Sequence, residues 1–578
     1  MHGECEFVGK LLEDVHMRKS VLATLLILTM VPVGFTQEFA GAPANSPRNE
    51  SLEAKVDQLF AQWDRPDAPG CALAVIEDGQ LIYKRGYGMA NLEHDIPITP
   101  ASIFHVASVS KQFTAFAILL LTQEGKLSLD DNVRKYVPEV PDFGLPITIR
   151  HLLQHTSGLR DNFFPLGLAG WRPDDLMTEG DILNFVASQK DLDFKPGDDV
   201  SYSNTGYVLL AVIVKRITGQ SLREFAEANI FKPLGMTHTH FHDDHTMVVK
   251  NRTSAYSPRN DGGFQVSIPV FDYIGATSLF TTVEDLAKWA NNLYDGRVGG
   301  KAVIEQMLAP GTLNNGERFD YGLGVQLGEY RGLKTVGHGG VDAGYRARLE
   351  QFSDQRFSVA ILCNLSTILP VRLARQIADI YLEEHLAKEG ERSPDTMPSE
   401  DDRAGKTGIY WNTITEEVRR LYMKDGKLMV AGPEEELVPL GKNRFRAVGS
   451  GNEFIFPPVR GGEQIQLQEI PLQPISTPIA YERIRVLVPS PDQLAEYTGA
   501  YYSQELQARV TIALRDGKLT LQGRKLPDRF LDPMFDDAFL IDQQRYFIRF
   551  TRAPQNRVSG LTLSAGRVRR LRFVKEAN

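Results

Sequence analysis

Cysteine is scarce: the 578-residue chain holds three, Cys5, Cys71 and Cys363. A disulfide scaffold is excluded, and at most one bridge can form if Cys5 is lost on processing. Basic charge is not in excess either, with 64 Lys and Arg against 73 Asp and Glu for a net −9. That balance leaves no basic footprint and excludes nucleic acid from the expected partners. Long apolar runs are missing apart from Val21 to Phe35, which falls short of the ~20 residues that span a bilayer. Glycine and proline, 49 and 32 residues, stand near their ordinary share, which excludes a collagen-like or disordered chain. No Gly-x-Ser-x-Gly elbow or phosphate loop occurs, which disfavours an α/β-hydrolase or a nucleotide enzyme. What remains is a soluble multidomain protein.

The apolar run follows Met17-Arg-Lys-Ser20, the layout of a secretory signal, with small residues Ala40-Gly41-Ala42 for cleavage. The acidic residues Glu4, Glu6, Glu13 and Asp14 make a poor leader start, so Met17 is the expected first residue and 1–42 the expected leader. The mature protein is then exported, periplasmic or extracellular. Residues 50–387 read as one α/β (α+β) unit. A hairpin (Cys71 to Ile76, turn at Asp78-Gly79, Leu81 to Tyr87) opens it, and a long helical middle follows. Strands return at Tyr321 to Leu327, Lys334 to Val336, Tyr345 to Phe352 and Phe357 to Cys363, and a helix closes at Val371 to Leu386. Strands from both ends around helices predict one antiparallel sheet with helices packed on it. Residues 388–404 turn rich in Glu, Arg, Ser, Pro and Asp and read as a linker. Beyond it Thr407-Gly-Ile-Tyr-Trp411 matches Thr498-Gly-Ala-Tyr-Tyr502, and Asp425-Gly-Lys-Leu428 matches Asp516-Gly-Lys-Leu519 at the same offset. Two small antiparallel all-β barrels, 405–488 and 492–578, are expected.

Three motifs carry chemistry. Ser108-Val-Ser-Lys111 precedes a helical pattern, and a lysine three residues on shares the serine's face. A serine needs such a neighbouring base to become a nucleophile. Tyr202-Ser-Asn204 offers a phenol to shuttle a proton and an amide to hold a carbonyl. His338-Gly-Gly340 offers glycines against which a substrate backbone can lie, followed by the N–H of Val341. Singly, each has a plain reading: a helix-capping serine with a solvated lysine, a loop before the helix Tyr207 to Ile217, a glycine-rich strand end.

In this order and spacing the three resemble the penicillin-recognising serine hydrolases, in the branch of class C β-lactamases, D-aminopeptidases, DD-carboxypeptidases and related esterases. Ile147 to Leu159, Pro233-Leu-Gly-Met236 and Gly275 to Lys288 agree with it, and the appended barrels resemble the layout of D-aminopeptidases. The resemblance implies a β-lactamase-like catalytic domain with Ser108 acylated, Lys111 and Tyr202 sharing general-base duty, and Asn204 binding the substrate amide. The N–H groups of Ser108 and Val341 would form the oxyanion hole, with Gly339 and Gly340 lining the substrate. No metal or other cofactor is implied. Lys406-Thr-Gly408 spells the usual third motif but lies in the barrel repeat, so His338 is chosen. A histidine there is near-neutral, which is expected to weaken recognition of a substrate carboxylate and to favour amino-acid amides, short peptides or esters. Asp342 or Glu496 could bind an amine.

His238, His240, His242 and His245, beside Asp243 and Asp244, are expected on an exposed loop rather than at a metal. His151 and His155, four apart on an expected helix, and His105 are read as structural. The leading expectation is an exported D-aminopeptidase-like serine hydrolase acting on a small molecule or short peptide. The alternatives are a DD-carboxypeptidase with weak β-lactamase activity, a carboxylesterase, or a module that β-lactams or peptidoglycan fragments acylate once without turnover. Oligomeric state is left open.

Overall fold

The structure, a computed structural model, describes residues 47–172, 174–387, 397–432, 434–458, 465–472, 479–541 and 546–577. The expected leader and the first half of the linker lie outside the described residues.

Strand β1 (Cys71–Glu77) turns into β2 (Gln80–Tyr87) through Asp78 and Gly79, both at positive φ (+48° and +80°). That is the turn geometry whose twist suits a tight hairpin. Four late strands join them: β3 (Gln326–Tyr330), β4 (Leu333–Asp342), β5 (Tyr345–Phe352) and β6 (Phe357–Cys363). The sheet runs β3-β4-β5-β6-β1-β2 and is antiparallel throughout. Cys71 pairs in register with Cys363 and is disulfide-bonded to it, tying the first strand to the last.

Alternation along β1 divides the core. Cys71, Leu73 and Val75 join the cluster under one face, with Leu373, Ile377 and Phe60. Ala72, Ala74 and Ile76 join the larger cluster under the other. There lies α1 (Ser110–Gln123), buried at every position from Ser110 to Leu121, the mark of a helix inside a core. Beside it run α2 (Asn204–Thr218) and α3 (Val283–Asp295), while α4 (Pro370–Tyr381) covers the opposite face.

Four expectations need correction. The strand expected at Tyr321 to Leu327 starts only at Gln326, because Gly324 takes φ +78° and seats against the Lys111 carbonyl. The strand expected to stop at Val336 runs on to Asp342 and contains the His338-Gly-Gly motif. The closing helix ends at Tyr381, and the second half of the linker carries a short helix, Glu400–Ala404, capped by Ser399.

Two closed eight-stranded antiparallel barrels follow, from Gly408–Trp411 to Ile479–Ile484 and from Gly499–Ser503 to Val568–Lys575. The sequence repeat is a backbone repeat. Gly408 and Gly499 share φ +143° and +140°, and Asp425-Gly426 and Asp516-Gly517 make the same left-handed turn. The Tyr410 and Tyr501 hydroxyls each donate to the carbonyl four residues back. In the second barrel β7 (Val558–Ala565) and β8 (Val568–Lys575) are joined by Gly566-Arg567, with Gly566 at φ +51°. Residues 51–578 form one unit.

Candidate active site

Ser108 sits in a single helical turn, Ala107–Val109, that leads into α1. Ala107 before it holds φ +48°, a backbone region alanine avoids and which strained functional turns often occupy. Strand β4 passes directly behind: a Cβ on Gly340 would fall 2.1 Å from the Val106 carbonyl oxygen. Only glycine lets the strand approach the nucleophile's turn so closely.

Lys111, the second residue of α1 and one turn after Ser108, is fully buried. Its Nζ lies 2.8 Å from Asn204 Oδ1, 2.6 Å from the Ala276 carbonyl oxygen and 3.3 Å from Ser108 Oγ, and 4.7 Å from the centre of the Tyr202 ring. The two closest partners are neutral acceptors. Burial therefore drives the Lys111 pKa well below that of a free lysine; the Arg567 charge pushes the same way, and Asp161 and Asp342 oppose it. A neutral amine has two N–H bonds and one lone pair. When the amine is neutral, the two carbonyl oxygens take its N–H bonds and the lone pair is left for Ser108.

Asn204 opens α2, three residues earlier than the helix start expected at Tyr207. Asp161 Oδ2 accepts from its backbone N–H and from its Nδ2, at 2.8 and 2.9 Å, which fixes the amide's orientation. Tyr202, in the extended segment before α2, is 7% exposed. Its hydroxyl is buried and faces Ser108, and burial pushes its pKa up, against the nearby Arg567 charge and the Ser108 hydroxyl.

His338 is buried in β4, and its ring is wired to the rest of the site. The Ser203 N–H donates to His155 Nδ1, so His155 Nε2 carries the proton and donates to Tyr321 Oη at 3.2 Å. Tyr321 donates to His338 Nε2 at 3.1 Å, and His338 Nδ1 donates to the Gly339 carbonyl at 2.6 Å. Both imidazoles are thereby neutral. Burial, with Lys111 beside it, holds the His338 pKa down at about 3.

These residues meet in a cavity of about 300 Å³, walled by Ser108, Tyr202, Asn204, His338, Gly339 and Val341. Lys111 lies beneath it and Gly340 behind. Asp342 also faces it, its Oδ2 accepting from His105 Nε2 and Thr277 Oγ1, each at 3.0 Å. Glu496 is not there; it pairs with Arg552 in the second barrel. Gly408 likewise opens the first barrel's first strand, and Lys406 lies just before it, its Nζ donating to the Asp402 carbonyl.

Sequence reasoning missed Asp161, the Ala276 carbonyl, Tyr321 and Arg567. Only Ala276 had a signal, in Gly275 before it: a Cβ there would lie 2.5 Å from the Tyr207 carbonyl oxygen, and φ is +101°. Arg567 comes from the β7–β8 turn and also walls the cavity. The second barrel thus supplies part of the site.

The remaining histidines fall elsewhere. His151 completes a capping box with Thr148, and His155 lies beyond that helix, Ile149–Leu153, instead of on it. His240 and His242 are not on an exposed loop. They pack against Phe280 with ring centres at 5.7 and 4.5 Å, and burial lowers both pKa values to about 4. Asp244, His245 and Asp272 are the one group among the described residues with donor atoms close enough for a metal, and two of the three are exposed.

The beta-lactamase family model matches residues 54–382. A D-aminopeptidase of Gluconobacter oxydans is 29% identical over 57% of this chain and 61% of its own length. Penicillin-binding protein 4* of Bacillus subtilis is 32% identical over 51% of this chain and 68% of its own. The octameric penicillin-binding protein homologue from Pyrococcus abyssi superposes with a TM-score of 0.53 at 25% identity, covering 75% of this chain and 99% of that one. SurE, at 18% identity and a TM-score of 0.50, covers 92% of this chain and so shares the fold. With the family model spanning the sheet, the helices and the whole Ser108 site short of Arg567, the chain belongs to the beta-lactamase family.

Proposed function

We propose that the protein is an exported D-aminopeptidase-like enzyme that cleaves amide bonds of short substrates through an acyl-Ser108 intermediate. The observation that carries this is the place of the Lys111 amine, held 2.8 Å from Asn204 Oδ1 and 2.6 Å from the Ala276 carbonyl oxygen, with Ser108 Oγ at 3.3 Å, so that once deprotonated it can take the serine's proton. Ser108 Oγ attacks the substrate carbonyl and its proton passes to Lys111. Negative charge on the carbonyl oxygen is met by the N–H groups of Ser108 and Val341, and removal of such a donor typically lowers rates by ~10²–10³. Tyr202, protonated at rest beside Ser108, gives its proton to the departing amine and then takes one from the deacylating water. Asn204 Nδ2 retains one N–H for the substrate. Asp342 on the cavity wall suits an α-amine, in line with the D-aminopeptidase relative.

The Cys71–Cys363 disulfide supports export, since such bonds persist in oxidising compartments. The test is release of p-nitroaniline from D-alanine and L-alanine p-nitroanilides, with Ser108→Ala as control. D-selective turnover, lost in the variant, is expected. No turnover of either by folded protein overturns the peptidase reading.

A further inference from the structure

The cavity above Ser108 contains one cation on its wall, and that cation is not from the catalytic domain. Arg567 occupies the turn between β7 and β8 of the second barrel. Its guanidinium lies 4.4 Å from the centre of the Tyr202 ring, and its side chain remains 49% exposed. Asp161 Oδ2, 3.9 Å away, forms a loose ion pair with it beyond hydrogen-bonding distance. Apart from that loose ion pair with Asp161, the guanidinium lines the cavity.

The turn that carries it is fixed. Arg160, 1% exposed, pairs with Asp193 and with Glu505 at 2.7 Å, and also donates to the Arg569 carbonyl. The Arg569 backbone N–H donates back to Asp193 at 2.9 Å, and its guanidinium bonds Asp199 at 2.7 Å. Arg567 is therefore held over Tyr202 by a buried network on both sides of the seam between barrel and catalytic domain.

Tyr202 is the group that protonates the leaving amine, so a cation stacked on its ring faces the leaving side. When the bond cut joins two amino acids and the second is the last, the leaving residue bears its carboxylate one carbon from that amine. The third motif, where a lysine would supply charge, holds the neutral His338. An arginine fork matches a carboxylate with two parallel N–H bonds.

We propose that Arg567 is a specificity-determining residue that binds the free carboxylate of the leaving amino acid, so that the second barrel selects short peptides with a free C-terminus over amino-acid amides and esters. This rests on the hydrolase reading above, and it replaces the expectation that carboxylate recognition is weak. The experiment compares kcat/KM for D-alanyl-D-alanine and D-alanyl-D-alanine amide in the wild-type protein and in Arg567→Gln, Arg567→Lys and Arg567→Glu. The ratio is internal to each variant, so a partial loss of folded protein leaves it readable. The wild type should favour the free acid by about tenfold or more; the ratio should fall toward one in Arg567→Gln, recover in part in Arg567→Lys and invert in Arg567→Glu. Turnover of both peptides at equal efficiency, or a preference kept in Arg567→Gln, overturns the carboxylate site alone. No turnover of either peptide overturns the peptidase reading and this inference with it.

Discussion

Lys111 governs the pH dependence at the scale of single residues. It acts as a base only when neutral, so kcat/KM rises with pH as the ammonium loses its proton. Because burial holds its pKa well below that of free lysine, the ascending limb lies well below pH 10.5. His338 contributes no limb: with its pKa held at about 3 it is already neutral at ordinary assay pH. A pH–rate series on His338→Gln should therefore show a lower rate but an unmoved midpoint. Lys111→Met should abolish the limb and reduce kcat by about 10²–10⁴, the usual share of a general base. A midpoint that moves with His338 would contradict the neutral imidazole chain.

Strands and turns set the site's geometry, and two glycines separate the ways they do it. Gly340→Ala would drive a Cβ to 2.1 Å from the Val106 carbonyl oxygen and force β4 away from the Ser108 turn. A loss of about 1–3 kcal/mol of stability, of the size seen on overpacking, should accompany a marked fall in activity. Gly517→Ala meets nothing within 4 Å but must keep φ +74°. It should cost about 1–2 kcal/mol, with kcat/KM unchanged. Denaturant titration alongside kinetics checks both. The same elements show what the sequence could tell. The hairpin Cys71–Tyr87 and the Ser108–Lys111 face were legible because each depends on neighbours within a few residues. Strand β4 looked shorter than it is because Gly337, Gly339 and Gly340 hide its β pattern. The Lys111 partners Asn204 and Ala276 are far along the chain, and Gly275 marks a close backbone approach beside Ala276 but not that the Ala276 carbonyl meets Lys111.

At the scale of the whole molecule, the catalytic domain and second barrel share a buried ionic seam around Arg160. Removing one member leaves charges buried without partners, a loss of about 3–5 kcal/mol in comparable pairs. Arg160→Met, which deprives Asp193 and Glu505 of their common partner, should lower stability by that order and release the Arg567 turn. The D-Ala-D-Ala preference would then weaken more than turnover of the amide. The disulfide acts on a still longer loop, its cysteines 292 positions apart, and reduction should lower the melting temperature, with a loss of about 2–5 kcal/mol of stability. Arg567 was not legible in sequence for the same reason that it matters: it reaches Ser108 only once barrel and catalytic domain have packed together.

The central claim is that Ser108 becomes acylated during turnover. Rapid-quench mass spectrometry of the protein mixed with a p-nitrophenyl acyl ester, with peptide mapping, tests it directly. A transient mass gain of one acyl group is expected on the peptide containing Ser108, absent from Ser108→Ala. Turnover without that adduct, or an adduct that persists in Ser108→Ala, would contradict it.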